Sequence, residues 1–406
     1  MKIFNNMLTF FVFLYVFSMC FFSYRSADLG NYTIITKILA LIIMIVFIAS
    51  VIFVKNKFFL SLEFKLLFVW IFFSLLTGFF SSDFNLFFTK TITLLQVFAV
   101  SYFVYVIAVN LQSVNIIWFG IFFTTSIVSI FVVKDPVYYS ILGRYVGTFG
   151  NANVFAMALI LSFLYALNQC ILQNKLLYKV VYLLSIPLFI YMIAGTGSRK
   201  AILIVFVIML VQVFFRFRNK IIVSPSKSLF IFVAIFILIS ASAYYFYNSK
   251  HFNRIEILYE AAQTGNINKA DNSFKGRVYL YKAGLEKVMD SPAFGFGLDN
   301  FRSVAGGGRY AHSNIIEILV GTGIIGFFLY YSIYASLAIK LFRLRRINFD
   351  QKYNTQYLMT IILFIVFVLY DFAMVSYYEK LSWLMMAGII ASTQILNNNK
   401  LFKVTT

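Results

Sequence analysis

Apolar residues fill this chain in long runs that polar residues interrupt only briefly. A helix needs about 20 mostly apolar residues to cross the hydrocarbon core of a bilayer. About twelve runs approach that length. They are Met7–Phe22, Ile35–Val54, Leu60–Phe80, Thr91–Val109, Val114–Val133 and Val154–Leu172, followed by Leu177–Ala194, Ala201–Phe215, Leu229–Tyr247, Ile324–Ile339, Tyr357–Tyr370 and Leu381–Leu396. The pattern predicts an all-α, polytopic membrane helix bundle. It divides into transmembrane helices over 1–247, one long polar loop over 248–323, and further transmembrane helices over 324–406. Within the loop, "GRVYLYKAGLEKVMDSP" reads as an amphipathic helix with Val278, Tyr281, Leu285 and Val288 on one side. Pro292 and "FGFG" end it, and its apolar face is expected to rest on the membrane or on the bundle.

Composition strengthens the membrane reading. Of 406 residues, 62% are apolar and 12% charged, against roughly half and a quarter in soluble domains. The net charge of +20 comes from basic residues scattered between apolar runs, which excludes a nucleic-acid-binding domain. With the N-terminus inside, 17 of the 34 basic residues fall in cytoplasmic loops and ends, against 8 in short outer loops. Both termini are therefore expected in the cytoplasm. The segments around "GRYVGTFGNANVFA" and "GTGSRKA" and the long loop then face outward. The first run has a leading lysine but no small-residue cleavage site, so an uncleaved span is expected rather than a signal peptide. Cys20 and Cys170 both lie in apolar segments and form no metal-binding or redox spacing.

Few polar residues remain to carry chemistry. Arg199 follows "GTGS" at the head of a run, where helix N–H groups and a guanidinium fork suit a phosphate; the alternative is that Arg199 and Lys200 snorkel to headgroups. Arg277 in "SFKGR" and Arg144 in "GRYVGTFGNAN" read equally as solvated loop arginines. Asn151 and Asn153 are candidate helix caps, with Asn153 preferred. His312 is the best candidate base, since imidazole titrates near neutrality, although "HSN" also reads as a helix start capped by Ser313 or Asn314. His251 lies just beyond a run and reads as an ordinary loop residue. Glu317, one turn past His312, either orients it or caps the helix. Gly321, Gly323 and Gly326 suit close helix packing. The outer segments hold no paired carboxylates at metal-binding spacing. The apolar runs carry few ionisable residues, which favours chemistry at one face over a transport path.

Taken in order, "GRYVGTFGNANVFA", "GTGSRKA", "SFKGRVYLYKAGLEKVMDSPAFGFGLDNF" and "AHSNIIEILVGTGIIG" resemble the O-antigen ligase/polymerase family of bacterial envelope glycosyltransferases, from about Arg144 to Gly326. The resemblance implies a GT-C-type helical fold in the bacterial plasma membrane. It implies a metal-independent, inverting transfer that needs no cofactor. The donor would be a glycan on undecaprenyl diphosphate, held by Arg199 and Arg277, with His312 beside the acceptor hydroxyl. Arg144, Lys200, Arg309 and Glu317 are further substrate-binding candidates. Polymerisation of lipid-linked repeat units is the expected reaction. Ligation of finished chains to lipid A–core is the alternative, and a flippase for lipid-linked oligosaccharide is the reading from another class. Expected partners are the glycan donor and acceptor, the bilayer, and a chain-length regulator or flippase.

Overall fold

A computed structural model of the chain describes residues 2–22, 32–54, 56–135, 139, 143–218, 272–345, 347, 350–372 and 374–404. The run Leu229–Tyr247 and His251 lie outside the described residues. Among those described, 82% are helical and none forms a strand. Thirteen α-helices follow in order: α1 (Lys2–Phe21), α2 (Tyr32–Val54), α3 (Leu62–Leu76), α4 (Phe84–Asn110), α5 (Asn115–Lys134), α6 (Ala152–Leu172) and α7 (Leu176–Gly195), then α8 (Arg199–Arg218), α9 (Asn272–Asp290), α10 (Phe301–Val304), α11 (Asn314–Leu344), α12 (Gln351–Asp371) and α13 (Lys380–Val404). Nine described helices are long and apolar enough to span a membrane: α1 to α7, α11 and α12. Two further predicted runs fall in α8 and α13.

The chain forms two compact units. The first comprises Met1–Lys57, Asn110–Phe252 and Asn348–Phe364. Its centre is α6, whose side chains are buried along nearly the whole helix. Close approach of α1 and α5 depends on Gly120, where a Cβ would lie 2.9 Å from Val16 Cγ1. Thr148 Oγ1 donates to the Cys20 carbonyl at 2.8 Å, tying the Gly147–Phe149 turn to the end of α1. In α2, Ile34, Ile38, Leu41, Ile45, Ile48 and Ile52 form a helical stripe of exposed apolar side chains. Water would penalise that stripe, whereas lipid accommodates it.

The second unit comprises Phe58–Val109, Asn253–Ile347 and Ile365–Thr406. Here α3 packs along α11, and Glu63, with no exposed surface, accepts from Lys340 Nζ at 2.7 Å and Ser336 Oγ at 2.6 Å. Lys340 keeps a third of its exposure while Glu63 has none, so removing Lys340 would leave an enclosed carboxylate without its charged partner. The expected run Ile324–Ile339 begins ten residues too late: α11 starts at Asn314, within the "HSN" that reads as a helix start, and runs through the glycines. It bends at Gly323, whose backbone has φ 65° and ψ −172°. The bend receives the 292–296 loop: Phe296 N donates to the Val320 carbonyl at 2.9 Å, and Ile324 N donates to the Pro292 carbonyl at 2.8 Å. A Cβ on Gly295 would lie 2.6 Å from Gly323 N, so both glycines allow backbone to meet backbone.

The amphipathic helix exists as α9, and its buried face overlaps the expected one at Val288 and at Tyr281, which packs on the same core. Leu280, Gly284 and Val288 face inward, while Leu285 is exposed. The contact is made where side-chain bulk is smallest: a Cβ on Gly284 would sit 2.5 Å from Ile316 Cγ2 and 2.9 Å from Phe301 Cε2. Leu280, Val288, Phe301, Ala311, Ile316 and Val320 form one core, so α9 rests on the first turns of α11.

Candidate functional site

In the first unit the polar turn before α8 is built by three strands of contact. Arg144 Nε donates to the Thr196 carbonyl at 2.7 Å, and Tyr145 N donates to the Gly195 carbonyl at 3.0 Å. Ser198 Oγ donates to Asn153 Oδ1 at 3.1 Å. Gly197 takes φ 59°, and Arg199 follows as the first residue of α8, half-buried like Lys200. Arg144 thus braces the turn that presents Arg199, bringing together two residues from separate motifs. The cap of α6 is Asn151, whose Oδ1 accepts from Asn153 N at 2.8 Å. The preference for Asn153 is therefore corrected; its side chain is committed to Ser198 instead.

The second unit holds the other predicted residues. Arg277 is half-buried on α9. One turn further on, the Tyr281 hydroxyl donates to the Phe372 carbonyl at 3.1 Å and meets the Ser313 side chain. Arg277 and His312 therefore flank one contact between α9 and the start of α11. His312 is exposed and holds φ 57°, a left-handed conformation uncommon outside glycine. Glu317 is buried, and its Oε2 accepts from Ala311 N at 3.0 Å. It holds the backbone one residue before His312, and its bond goes to Ala311, ahead of the first helical residue Asn314. Ser313 stands at the cap position without a side-chain cap bond. Asn314 is buried: its Oδ1 accepts from Ser376 N and Tyr377 N, both at 2.9 Å, and its Nδ2 donates to Asp371 at 3.2 Å. Asp371 also accepts from Tyr334 Oη at 2.6 Å, from Tyr331 Oη at 3.2 Å and from the Ser376 hydroxyl. Arg309 lies exposed at the tip of the glycine turn.

Sequence reading missed a charged cluster beside this start of α11. Asp299 is buried and accepts from Arg302 at 2.5 Å, with Lys90 Nζ 3.6 Å away. Lys90 lies 3.4 Å over the Tyr378 ring, and Arg302 lies 5.3 Å from the Tyr310 ring centroid. Glu317 interacts electrostatically with Asp299, Lys90 and Arg302. Burial pushes the Asp299 carboxyl above the ordinary range, against the opposing pull of Lys90 and then Arg302. Asn300 holds the segment in place: its Oδ1 accepts from Asp83 N at 2.7 Å and its Nδ2 donates to Ser81 Oγ at 2.9 Å. The few ionisable residues in the spans include Glu63, Lys90, Glu317, Lys340 and Asp371; of these, Glu63 and Lys340 pair with each other and Lys90 with Asp299, across segments remote in sequence.

These features define a multi-pass, all-α membrane protein whose polar groups gather where loops meet helix starts. A family model described as O-antigen ligase matches residues 183–331, and this match supports the O-antigen ligase/polymerase family for the chain. The matched stretch contains Arg199, Lys200, Arg277, Arg309, His312 and Glu317. No curated protein matches the chain. The family supports a ligase- or polymerase-type membrane function acting on lipid-linked glycan.

Proposed function

We propose that the protein is a polymerase of lipid-linked glycan, joining oligosaccharide repeat units carried on undecaprenyl diphosphate at the outer face of the bacterial plasma membrane. The observation that carries this reading is the placement of Arg199, Arg277 and His312 within the family-matched stretch, each at a helix or loop position suited to its part. The acceptor hydroxyl oxygen attacks the anomeric carbon as the bond to the diphosphate breaks, and undecaprenyl diphosphate leaves with the electron pair. Arg199 and Arg277 offset the charge growing on that leaving group, the service a metal gives elsewhere. His312 accepts the hydroxyl proton. One displacement inverts the anomeric centre. Arg144 acts on Arg199 through the Thr196 carbonyl, and Glu317 acts on His312 through Ala311 N, so both are positioning residues in this scheme. Lys200 and Arg309 supply additional positive charge.

Ligation to lipid A–core uses the same chemistry with another acceptor. The flippase reading would put the in-span charges along a path. Instead Glu63 and Lys340 pair with each other, and Asp371 accepts from four neutral donors, which suits structural roles. The test is purified protein with one undecaprenyl-diphosphate-linked repeat unit, no other acceptor and EDTA present. A product ladder spaced by one repeat, lost in His312→Ala, is expected. Transfer only after lipid A–core is added would make the protein a ligase, and inactivity with both acceptors would sink the enzymatic reading.

A further inference from the structure

Of the charged cluster of the second unit, the transfer step above uses only the Oε2 of Glu317, and the cluster is not a closed salt-bridge network. Three of its buried side-chain atoms have no hydrogen-bond partner among the described residues: Asp299 Oδ1, Arg302 Nε and Glu317 Oε1. Buried polar atoms are paired in the large majority of cases, and leaving one unpaired costs about 1–3 kcal/mol. Asp299 and Glu317 are each only 2% exposed. Asp299 also holds φ 65°, and such backbone strain persists where the surroundings impose it, often at ligand sites. The cluster nevertheless reaches the surface. Arg302 keeps 27% of its side-chain exposure and Lys90 11%, while Tyr310 and Tyr378 are half-buried beside them.

We propose that Lys90, Asp299, Arg302 and Glu317, with Tyr310 and Tyr378, form a subsite for a neutral sugar residue of the acceptor glycan. Two cations and two carboxylates sum to no net charge when all are ionised. A phosphate would meet Asp299 and Glu317 as well as the cations, so the set has no bias towards an anion. A sugar has hydroxyls that both donate and accept. Unpaired carboxylate oxygens take the donated hydrogens, and Arg302 Nε gives one back. The two tyrosines add aromatic surface and hydroxyls next to the charged groups. Glu317 ties this subsite to the proposed chemistry. Its Oε2 holds the backbone at Ala311, one residue before His312, while Oε1 remains for the sugar. The assignment rests on the glycosyltransferase reading and names where the acceptor binds.

The test uses the full chain in lipid nanodiscs and needs no turnover. The probe is the free oligosaccharide released by partial acid hydrolysis from the surface glycan of the producing bacterium, followed by saturation-transfer difference NMR. Wild type is expected to bind it, and Asp299→Asn or Glu317→Gln to weaken it roughly tenfold, since each removes a charge-assisted hydrogen bond. Affinity for sugar-free undecaprenyl diphosphate should stay unchanged. Tyr310→Phe removes one hydroxyl from a half-buried ring and is expected to weaken the oligosaccharide a few-fold, which gives a readout should the carboxyl variants not fold. The assignment is overturned if wild type does not bind the oligosaccharide, if well-folded variants keep wild-type sugar affinity, or if affinity for the sugar-free diphosphate falls in parallel. Loss of the transferase reading is seen separately, as absence of any transfer from the lipid-linked repeat unit by wild type.

Discussion

Gly323→Ala tests whether the bend in α11 holds the loop that carries Asp299 and Asn300. At φ 65° and ψ −172° only glycine sits without strain, and an alanine there costs about 1–3 kcal/mol. Its Cβ would also fall against the Ala293 carbonyl and 2.6 Å from Phe294 N. Both neighbours are backbone, so no side chain can swing away to make room. If the loop lifts to relieve the clash, it forfeits the Phe296–Val320 and Ile324–Pro292 hydrogen bonds, each worth about 1 kcal/mol net. Together these contributions place the local destabilisation at about 3–5 kcal/mol. Hydrogen exchange on the purified protein reads this directly, because local opening sets the rate. At about 1.36 kcal/mol per factor of ten, exchange at the Phe296 and Ile324 amides should quicken roughly a hundred- to several-thousand-fold. Gly276→Ala is the control. It lies in α9, and a Cβ there would meet nothing within 4 Å, so it should be neutral or stabilising by up to about 1 kcal/mol. Wild-type exchange at both amides in Gly323→Ala would refute the reasoning.

Other consequences follow from the same contacts. Arg199→Ala and Arg277→Ala should each cut transfer about ten- to hundredfold by removing charge-assisted bonds to phosphate, whereas full activity in either would remove that residue from the donor site. Asn314→Ala strands the Ser376 and Tyr377 amides and takes one donor from Asp371; a loss of about 2–4 kcal/mol is expected, read as a lower midpoint in thermal unfolding, and an unchanged midpoint would contradict it. Burial raises the Asp299 carboxyl, so the folded chain binds a proton there at higher pH than the unfolded chain does. That contribution to stability is fully present below the unfolded pKa and is lost as pH rises through the raised folded value. Asp299→Asn should therefore flatten the pH dependence of unfolding in that acidic window, and an unaltered slope would count against the assignment.

The helices were legible because lipid leaves the backbone no other partner than itself, so apolar run length reports span position directly. Edges were less legible where glycine served contact instead of a turn. The apolar run begins at Ile324, yet α11 already starts at Asn314 and continues through "GTGIIG", where Gly321 and Gly323 let the 292–297 backbone come close. A glycine also hid one part of the buried face of α9. Leu285 stood out as an anchor by periodicity, while Gly284, with no side chain to mark it, makes the contact. Candidate chemistry was legible where one local motif contains it, as at "GTGSRKA", where turn and helix start are adjacent. It was not legible where the partners come from distant segments. Lys90 stands just before the run Thr91–Val109 and Asp299 within "FGFGLDNF", with no motif to link them. Only the fold brings them to 3.6 Å, and only then do the unpaired oxygens of Asp299 and Glu317 become informative. Anion-binding candidates can be proposed from local geometry one at a time, because each helix start attracts anions by itself. Recognition of a neutral glycan needs donors and acceptors set against each other; Asp299, Arg302, Tyr310 and Glu317 share one stretch, but Lys90 and Tyr378 join them only in the fold.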